Sequence, residues 1–252
     1  MGALHAGHVS LIEAARKHCD KVVATIFVNP TQFGPGEDFD KYPRTLQDDL
    51  AKCESAGADF VFTPNTAEMY LPTAQTSVSV SKLTQRLEGR VRPTHFDGVT
   101  TIVAKLFNIT EPDLAFFGQK DYQQQLIIRQ MVIDLDFGLE IVTCPIVRED
   151  DGLAMSSRNR YLSAADRQRA LVLSQCLAAA SKQASGGESP QNIAAEMSAA
   201  IEATAGVALD YAVIVDDKTL MPAESGCKTA VALVAAKLGE TRLIDNTILQ
   251  FR

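Results

Sequence analysis

Two histidines three residues apart, His5 and His8, stand at the opening of the chain with Gly7 between them and a helical pattern running on from there. A helix N-terminus leaves backbone N–H groups unpaired and carries partial positive charge, so a phosphate group settles there. Gly7 lets an anion come close to the backbone, and two imidazoles supply donors where charge builds during phosphoryl or nucleotidyl transfer. The same few residues also describe a histidine pair that merely caps a loop.

Three further segments carry chemistry-bearing side chains. Residues 117–124 follow an apolar strand, and ligands of open α/β sheets bind beyond the carboxyl ends of strands. There Lys120 offers a point charge for phosphate, and Asp121 either accepts from a ribose hydroxyl or orients the lysine. A solvated helix start with a surface Lys–Asp pair is the plainer alternative. Residues 152–159 place Ser156, Ser157 and Arg158 in one loop, a set suited to closing over phosphates and holding a leaving pyrophosphate. A polar linker has the same composition. Residues 27–34 set Asn29 and Gln32 just past a strand, where neutral amides bind hydroxyl and carboxylate groups. Asn29-Pro30 followed by Gly34-Pro35-Gly36 also reads simply as turn chemistry.

The elements that must position these groups alternate. Residues 8–19 have helical spacing, and 21–28 form a β-branched run suited to a buried parallel strand. Thr45 begins a second helix with Asp48 placed as in a capping box, and 59–64 follow as a short strand. Residues 97–109 read as helix, 113–118 as strand, 121–135 as helix and 139–144 as strand. Such alternation predicts a parallel sheet with helices on both faces. After about residue 147 the order changes. Ser163 caps an alanine-rich helix, Gly186-Gly187 ends it, and Ser189-Pro190 start another. Strands over 209–216, 229–237 and 241–251 then predict a small α+β unit, with the boundary near 146.

Bulk properties narrow the classes. With 46% hydrophobic and 22% charged residues among 252, the chain has the composition of a globular protein large enough for a larger and a smaller domain. Its formal charge of -7 argues against a nucleic-acid footprint, so anionic substrates must be met by local cations and N–H groups. Five scattered cysteines without a C-x-x-C pair read as thiols of a reducing cytoplasm. No apolar run reaches membrane-spanning length, and Glu13, Arg16 and Lys17 break any signal-peptide pattern.

Taken together, MGALHAGH (1–8), FVNPTQF (27–33), YPRT (42–45), RPTHFDGV (92–99), FFGQKDYQQ (116–124) and GLAMSSRNRYL (152–162) resemble, in order, the motifs of pantothenate synthetases. That family lies within the H-x-G-H nucleotidyltransferases. The likeness is specific to about residue 165 and looser beyond, including TRLIDN (241–246). It implies an α/β fold, with a Rossmann-like ATP- and pantoate-binding domain over 1–146 and a smaller C-terminal α+β lid over 147–252. It implies ligation of pantoate to β-alanine through an adenylate, with Mg²⁺ accompanying ATP, in a cytoplasmic homodimer without nucleic-acid or membrane partners.

Position by position, the resemblance assigns Met1, Gly2, Ala3, Leu4, His5, Ala6, Gly7 and His8 to the first ATP segment. His8 is implied as the proton donor, and His5, Lys120 and Arg158 as stabilisers of phosphate charge. Gly118, Gln119, Lys120, Asp121, Val147, Met155, Ser156, Ser157 and Arg158 are implied to complete the nucleotide site. Gln32, Gln124, Asn29 and Arg92 are implied to hold pantoate and β-alanine, and Asp48 and Asp49 to lie near the metal. Thr45-x-x-Asp48 also explains Asp48 as a capping acid. Gln119 stands where many relatives have glutamate, so its backbone is expected to matter more than its side chain. In the family a helix, a strand and a Pro-Thr pair precede the first motif, whereas here the motif opens the sequence. The resemblance therefore implies a missing sheet strand, and an upstream-extended chain is expected to be more stable and more active. Two rivals stand beside this reading. One is another nucleotidyltransferase of the same fold, which pantoate would not stimulate. The other is a nucleotide-binding protein without turnover.

Overall fold

The computed structural model describes residues 2–34, 37 and 39–252. Met1, assigned above to the first ATP segment, and Pro35 and Gly36 of the proposed turn lie outside them. The chain divides into two compact units, Met1–Gly118 with Gln123–Pro145, and Gln119–Tyr122 with Ile146–Arg252. The short Gln119–Tyr122 stretch thus groups with the second unit although its sequence neighbours on both sides belong to the first. A single linear boundary does not express that exchange.

The first unit is α/β. Helix α1 (Ala6–His18) leads to β1 (Val23–Thr25), α2 (Leu46–Ser55) and β2 (Phe60–Phe62). Two one-turn helices, α3 (Thr66–Met69) and α4 (Glu88–Val91), precede α5 (His95–Thr110), β3 (Leu114–Gly118), α6 (Tyr122–Asp134) and β4 (Glu140–Cys144). Basic Arg16, Lys17 and His18 close α1, complementing the negative end of its dipole. β1 pairs β2 and β3 pairs β4, both parallel, and the four strands form two separate two-stranded sheets. β1 is shorter than the 21–28 run predicts, and its Val23 is 43% exposed. With a partner on one side only, the run has no second ladder to extend it. Leu4, Ile12, Ala15, Val22, Ile26, Cys53 and Ala56 form a buried apolar cluster, with Val61 of β2 and Phe116 of β3 packed on it. That cluster is what fixes the entry of α1. Thr45 stands at the N-cap of α2 with no side-chain capping bond, so the expected capping box is not formed.

The second unit is α+β. Ser163 caps α7 (Ala164–Gly186) through a hydroxyl that accepts from the Asp166 N–H, and Gly187 ends the helix at φ +90°. Ser189 and Pro190 start α8 (Pro190–Glu202) in the same manner. β5 (Val207–Val215), β6 (Thr229–Leu238) and β7 (Thr241–Gln250) form an antiparallel sheet in the order β5-β6-β7. β6 is buried along almost its whole length, as a central strand with a helix-covered face must be. The alternating residues of the sheet, the alanine-rich stripe of α7 and the Ile193, Met197 and Ile201 stripe of α8 share one core that also includes Leu173, Leu177, Val234 and Leu249. Each such fully buried aliphatic side chain contributes about 1.5–3 kcal/mol.

Candidate active site

The histidine loop is held from below by α2. Gly2 and Ala3 both have positive φ, +88° and +50°, the second an unfavourable conformation for alanine. The turn aims two successive backbone N–H groups at one carboxylate. Asp49 Oδ2 accepts from Ala3 N at 2.8 Å, and Asp49 Oδ1 accepts from Leu4 N at 2.7 Å. One turn later on the same helix face, Lys52 Nζ donates to the Leu4 carbonyl at 2.7 Å. A fully buried acid and its i+3 cation therefore grip the loop by its donors and its acceptor. A Cβ at Gly2 would lie 3.3 Å from Asp49 Oδ2, which leaves little room for a larger residue there.

His5 then takes the N-cap position of α1 in extended backbone, and its N–H donates to His8 Nδ1 at 3.2 Å. The two rings lie 3.9 Å apart and tilted by 34°. With Nδ1 accepting this bond, a neutral His8 ring would carry its proton on Nε2. Capping and phosphate binding are thus compatible roles for this pair, since the cap bond uses only one nitrogen of His8.

Residues just past β1 build a second constellation in the same unit. Asn29 is 1% exposed. Its Nδ2 donates to the Gly98 carbonyl at 3.1 Å and to Gln32 Oε1 at 3.2 Å. Its Oδ1 accepts from Thr31 Oγ1 at 2.9 Å and from the Tyr70 hydroxyl at 2.8 Å. Burial pushes the Tyr70 hydroxyl above its ordinary value against its bonds to Thr31 and Asn29, so it stays a protonated donor. Both polar atoms of the Asn29 side chain are engaged by these protein partners, one of them the Gln32 side chain. Arg92 forms a two-pronged pair with Glu37, Nε to Oε1 at 2.7 Å and Nη2 to Oε2 at 2.6 Å, and also reaches the Gln32 carbonyl. Burial alone would push the Glu37 carboxyl up, but the bonds and charge of Arg92 outweigh it and hold it below its usual range. His95 Nδ1 lies 2.8 Å from the Gln32 carbonyl and its Nε2 lies 3.1 Å from Arg92. Gln124 is half-buried in the first turn of α6, beside Gln123, whose buried amide bonds the carbonyls of Leu83 and Arg86.

This constellation rests on a close helix approach. A Cβ at Gly98, on α5, would lie 2.2 Å from the Thr31 carbonyl oxygen and 2.8 Å from Gln32 N, both backbone atoms that cannot swing aside. Gly98→Ala is expected to destabilise the protein by about 1–3 kcal/mol and, if Gln32 holds the small acid as the resemblance implies, to impair the response to that acid more than the response to nucleotide. Urea denaturation and substrate titration of the variant check this, and unchanged behaviour in both would remove the helix contact from the argument.

In the second unit, Gln119, Lys120 and Asp121 form a single 3₁₀ turn at the end of β3. Gly118, at that strand's last position, pairs with Cys144 in the first unit. Val147 to Met155 form a tight hairpin, with Met155 N donating to the Val147 carbonyl at 3.0 Å and Gly152 turning the chain at φ +91°. Ser156 caps the 3₁₀ turn Ser157–Tyr161, its hydroxyl accepting from Arg158 N at 3.3 Å. Glu149 holds the buried Asn159 through Oε1 and Arg167 through Oε2. The 152–159 segment is therefore a braced loop.

The residues assigned near the metal differ in their surroundings. Asp48 is exposed, while Asp49 is fully buried with both oxygens bonded to backbone N–H groups. Among the described residues there is no cluster of three His, Cys, Asp or Glu that could by itself hold a metal ion. Sequence reading also passed over Lys52, Tyr70, Glu37 and His95, all partners of assigned residues. His95 had a signal in its i+3 spacing from Arg92 within residues 92–99.

Comparison with known proteins places these features in context. Residues 1–248 match the family model described as pantoate-beta-alanine ligase. The chain is 54% identical over 250 residues to the pantothenate synthetase of Acidobacterium capsulatum, covering 99% of this chain and 84% of that protein. It is 51% identical to that of Dehalococcoides mccartyi, covering 99% and 93%. The crystal structure of the Thermus thermophilus pantothenate synthetase superposes with a TM-score of 0.95 at 47% identity, covering 98% of this chain and 90% of that one. The pantoate-beta-alanine ligase of Francisella tularensis, solved with beta-gamma ATP and beta-alanine, superposes at 0.79 with 33% identity, covering 98% and 87%.

Proposed function

The chain belongs to the pantoate–β-alanine ligase family, and on that footing we propose that it condenses pantoate with β-alanine at the expense of ATP through the residues assigned below. The reaction has two halves. The carboxylate of pantoate attacks the α-phosphorus of ATP in line, forming the P–O bond of pantoyl adenylate as pyrophosphate departs. The neutral amine of β-alanine then attacks the acyl carbon, AMP leaves, and the amine proton is lost to give pantothenate. Little covalent chemistry falls to the protein, so positioning and charge stabilisation do most of the work.

Within this reading the 2–8 loop receives the triphosphate, with Nε2 of His8 donating to phosphate oxygen and His5 beside it. Lys120 and Arg158 supply further positive charge, and Ser156, Ser157 and the backbone of Val147 and Met155 frame the nucleotide. Gln32 and Gln124 hold the small acid, with Asn29 and Arg92 fixing Gln32 from behind. Mg²⁺ enters with ATP, held by the triphosphate, and no protein carboxylate is assigned to it. The observation carrying the proposal is the Asp49-anchored turn, which delivers two stacked imidazoles and the N-terminal donors of α1 to one point. No helix among the described residues is long and apolar enough to cross a membrane. By the same family resemblance we assign a cytoplasmic homodimer, which light scattering of the purified protein tests.

AMP release measured with ATP, pantoate and β-alanine, each omitted in turn, tests the reaction itself. Release without pantoate, or pyrophosphate exchange indifferent to it, would overturn the substrate assignment. For the pocket, Gln32→Ala and Gln124→Ala should each raise the KM for pantoate roughly 10- to 100-fold, the cost of one bond to a charged group. Affinity for ATP should persist. Collapse of ATP binding with an untouched pantoate response would place these amides in the wrong pocket.

A further inference from the structure

Adjacent residues Asp245 and Asn246, in the TRLIDN segment of β7, are both polar and both almost fully buried, at 3% and 2% exposure. Buried polar side chains cost stability unless their bonding is complete, and an apolar pair would suit the interior of a sheet better. Their partners explain their presence. Asn246 Nδ2 donates to the carbonyls of Gln119 at 3.0 Å and Lys120 at 2.9 Å, and its Oδ1 accepts from Gln119 Nε2 at 3.1 Å. All three bonds fall on the turn that carries Lys120, and they account for that turn's grouping with the second unit. Asp245 accepts from Arg148 in two-pronged fashion, Nη1 at 2.7 Å and Nη2 at 3.1 Å, while the same Nη1 reaches the Gly152 carbonyl at 3.1 Å. Arg148 belongs to the hairpin that leads into Met155–Arg158. Asp245 Oδ1 also accepts from Asn246 N at 2.7 Å, locking the two side chains to one point of the strand.

We infer that Asp245 and Asn246 are a positioning pair for the ligase reaction, one strand site that sets both the Lys120 turn and the serine–arginine loop. Neither residue is assigned contact with substrate. This rests on the reading above that Lys120 and Arg158 act on the triphosphate. It also gives the Gln119 side chain a purpose, since its amide closes the third bond to Asn246, beside the expectation that its backbone matters more.

The test is a double-mutant cycle on the full chain, with AMP release, KM values and thermal midpoints measured for Lys120→Ala, Asn246→Asp and the pair. Aspartate keeps the shape of Asn246 but cannot donate to two carbonyls. Misplacement of a catalytic group by about 1 Å costs on the order of 10²-fold in rate, so Asn246→Asp should lower kcat by about that factor with the KM for pantoate unchanged. If Asn246 acts through the Lys120 turn, the double variant should be little worse than Lys120→Ala alone. Multiplicative losses, or wild-type turnover of Asn246→Asp, would overturn the proposal. Full activity of Lys120→Ala would instead overturn the nucleotide-site reading beneath it. Should Asn246→Asp fail to fold, Gln119→Ala takes its place in the cycle, removing one of the three bonds from a half-buried position, with the same criteria.

Discussion

Replacing His8 with alanine is expected to slow pantoate-dependent exchange of pyrophosphate into ATP by about 10²–10³-fold, the usual contribution of one preorganised donor to a charged transition state. The physical reason lies in the ring's two nitrogens. Nδ1 accepts from the His5 N–H, so the ring cannot rotate without losing its cap, and the proposal gives Nε2 the donor role toward phosphate. A donor fixed in advance needs no reorganisation as charge develops. The loss of the cap should cost only about 1 kcal/mol of stability, so the variant should remain folded with a slightly lower thermal midpoint. His8→Asn is the informative companion, because its amide retains hydrogen-bonding capacity over a shorter reach. Normal exchange by His8→Ala would remove His8 from the mechanism whatever the state of His5.

The second large effect is expected at Asp49, and it is structural first and catalytic in consequence. Asp49→Ala strands two buried N–H donors, each bond to the charged carboxylate being worth about 1.5–3 kcal/mol, and it releases a turn in which Ala3 is held in left-handed backbone. The thermal midpoint should fall well below wild type, and the KM for ATP should rise because the loop before α1 is no longer fixed. Asp49→Asn should fall between, since an amide oxygen can accept from one N–H while its NH₂ opposes the other. A metal role and an anchoring role part company in one titration. Excess Mg²⁺ would restore a weakened cation site but does nothing for a broken backbone clamp. Recovery of Asp49→Asn at high Mg²⁺, or an unchanged midpoint for Asp49→Ala, would sink the anchoring account.

Asp49 also shows where sequence reading stops. An Asp-Asp pair in a first helical turn looks alike whether it caps, ligates or anchors, because all three need a carboxylate. The choice depends on what lies across the gap, and that partner is 45 residues away in the chain. The same holds for Asn29, where the side chain's type suggested a ligand for hydroxyl groups. Its protein partners come from Gly98, Thr31, Gln32 and Tyr70, and only the packing of α5 against the 30–32 turn brings them together. Local signals fared better. The Ser163 and Ser189 caps, the Gly187 stop and the three C-terminal strands all appear where propensity placed them, since each depends on bonds within a few residues. The run at 21–28 did not, because the length of a parallel strand is set by its neighbours.

What the residues determined alone was the chemistry on offer and the family. Histidines at a helix entry, a lysine beyond a strand and a serine–arginine loop are local facts, and their order along the chain matches the family over nearly its whole length. What only tertiary structure decided was the division of labour among polar residues. A side chain either faces a ligand or spends its bonding capacity on the protein, and that depends on groups distant in sequence. Asp49, Asn29, Asp245 and Asn246 are buried with their bonds directed at backbone or neighbouring side chains, so their bonding capacity is spent on the protein. The turn that carries Lys120 groups with the second unit for the same reason, because its carbonyls are satisfied by Asn246 more than a hundred residues further on. Buried donors and acceptors must be paired wherever in the chain the partner lies, and no local pattern in the sequence specifies which partner that will be.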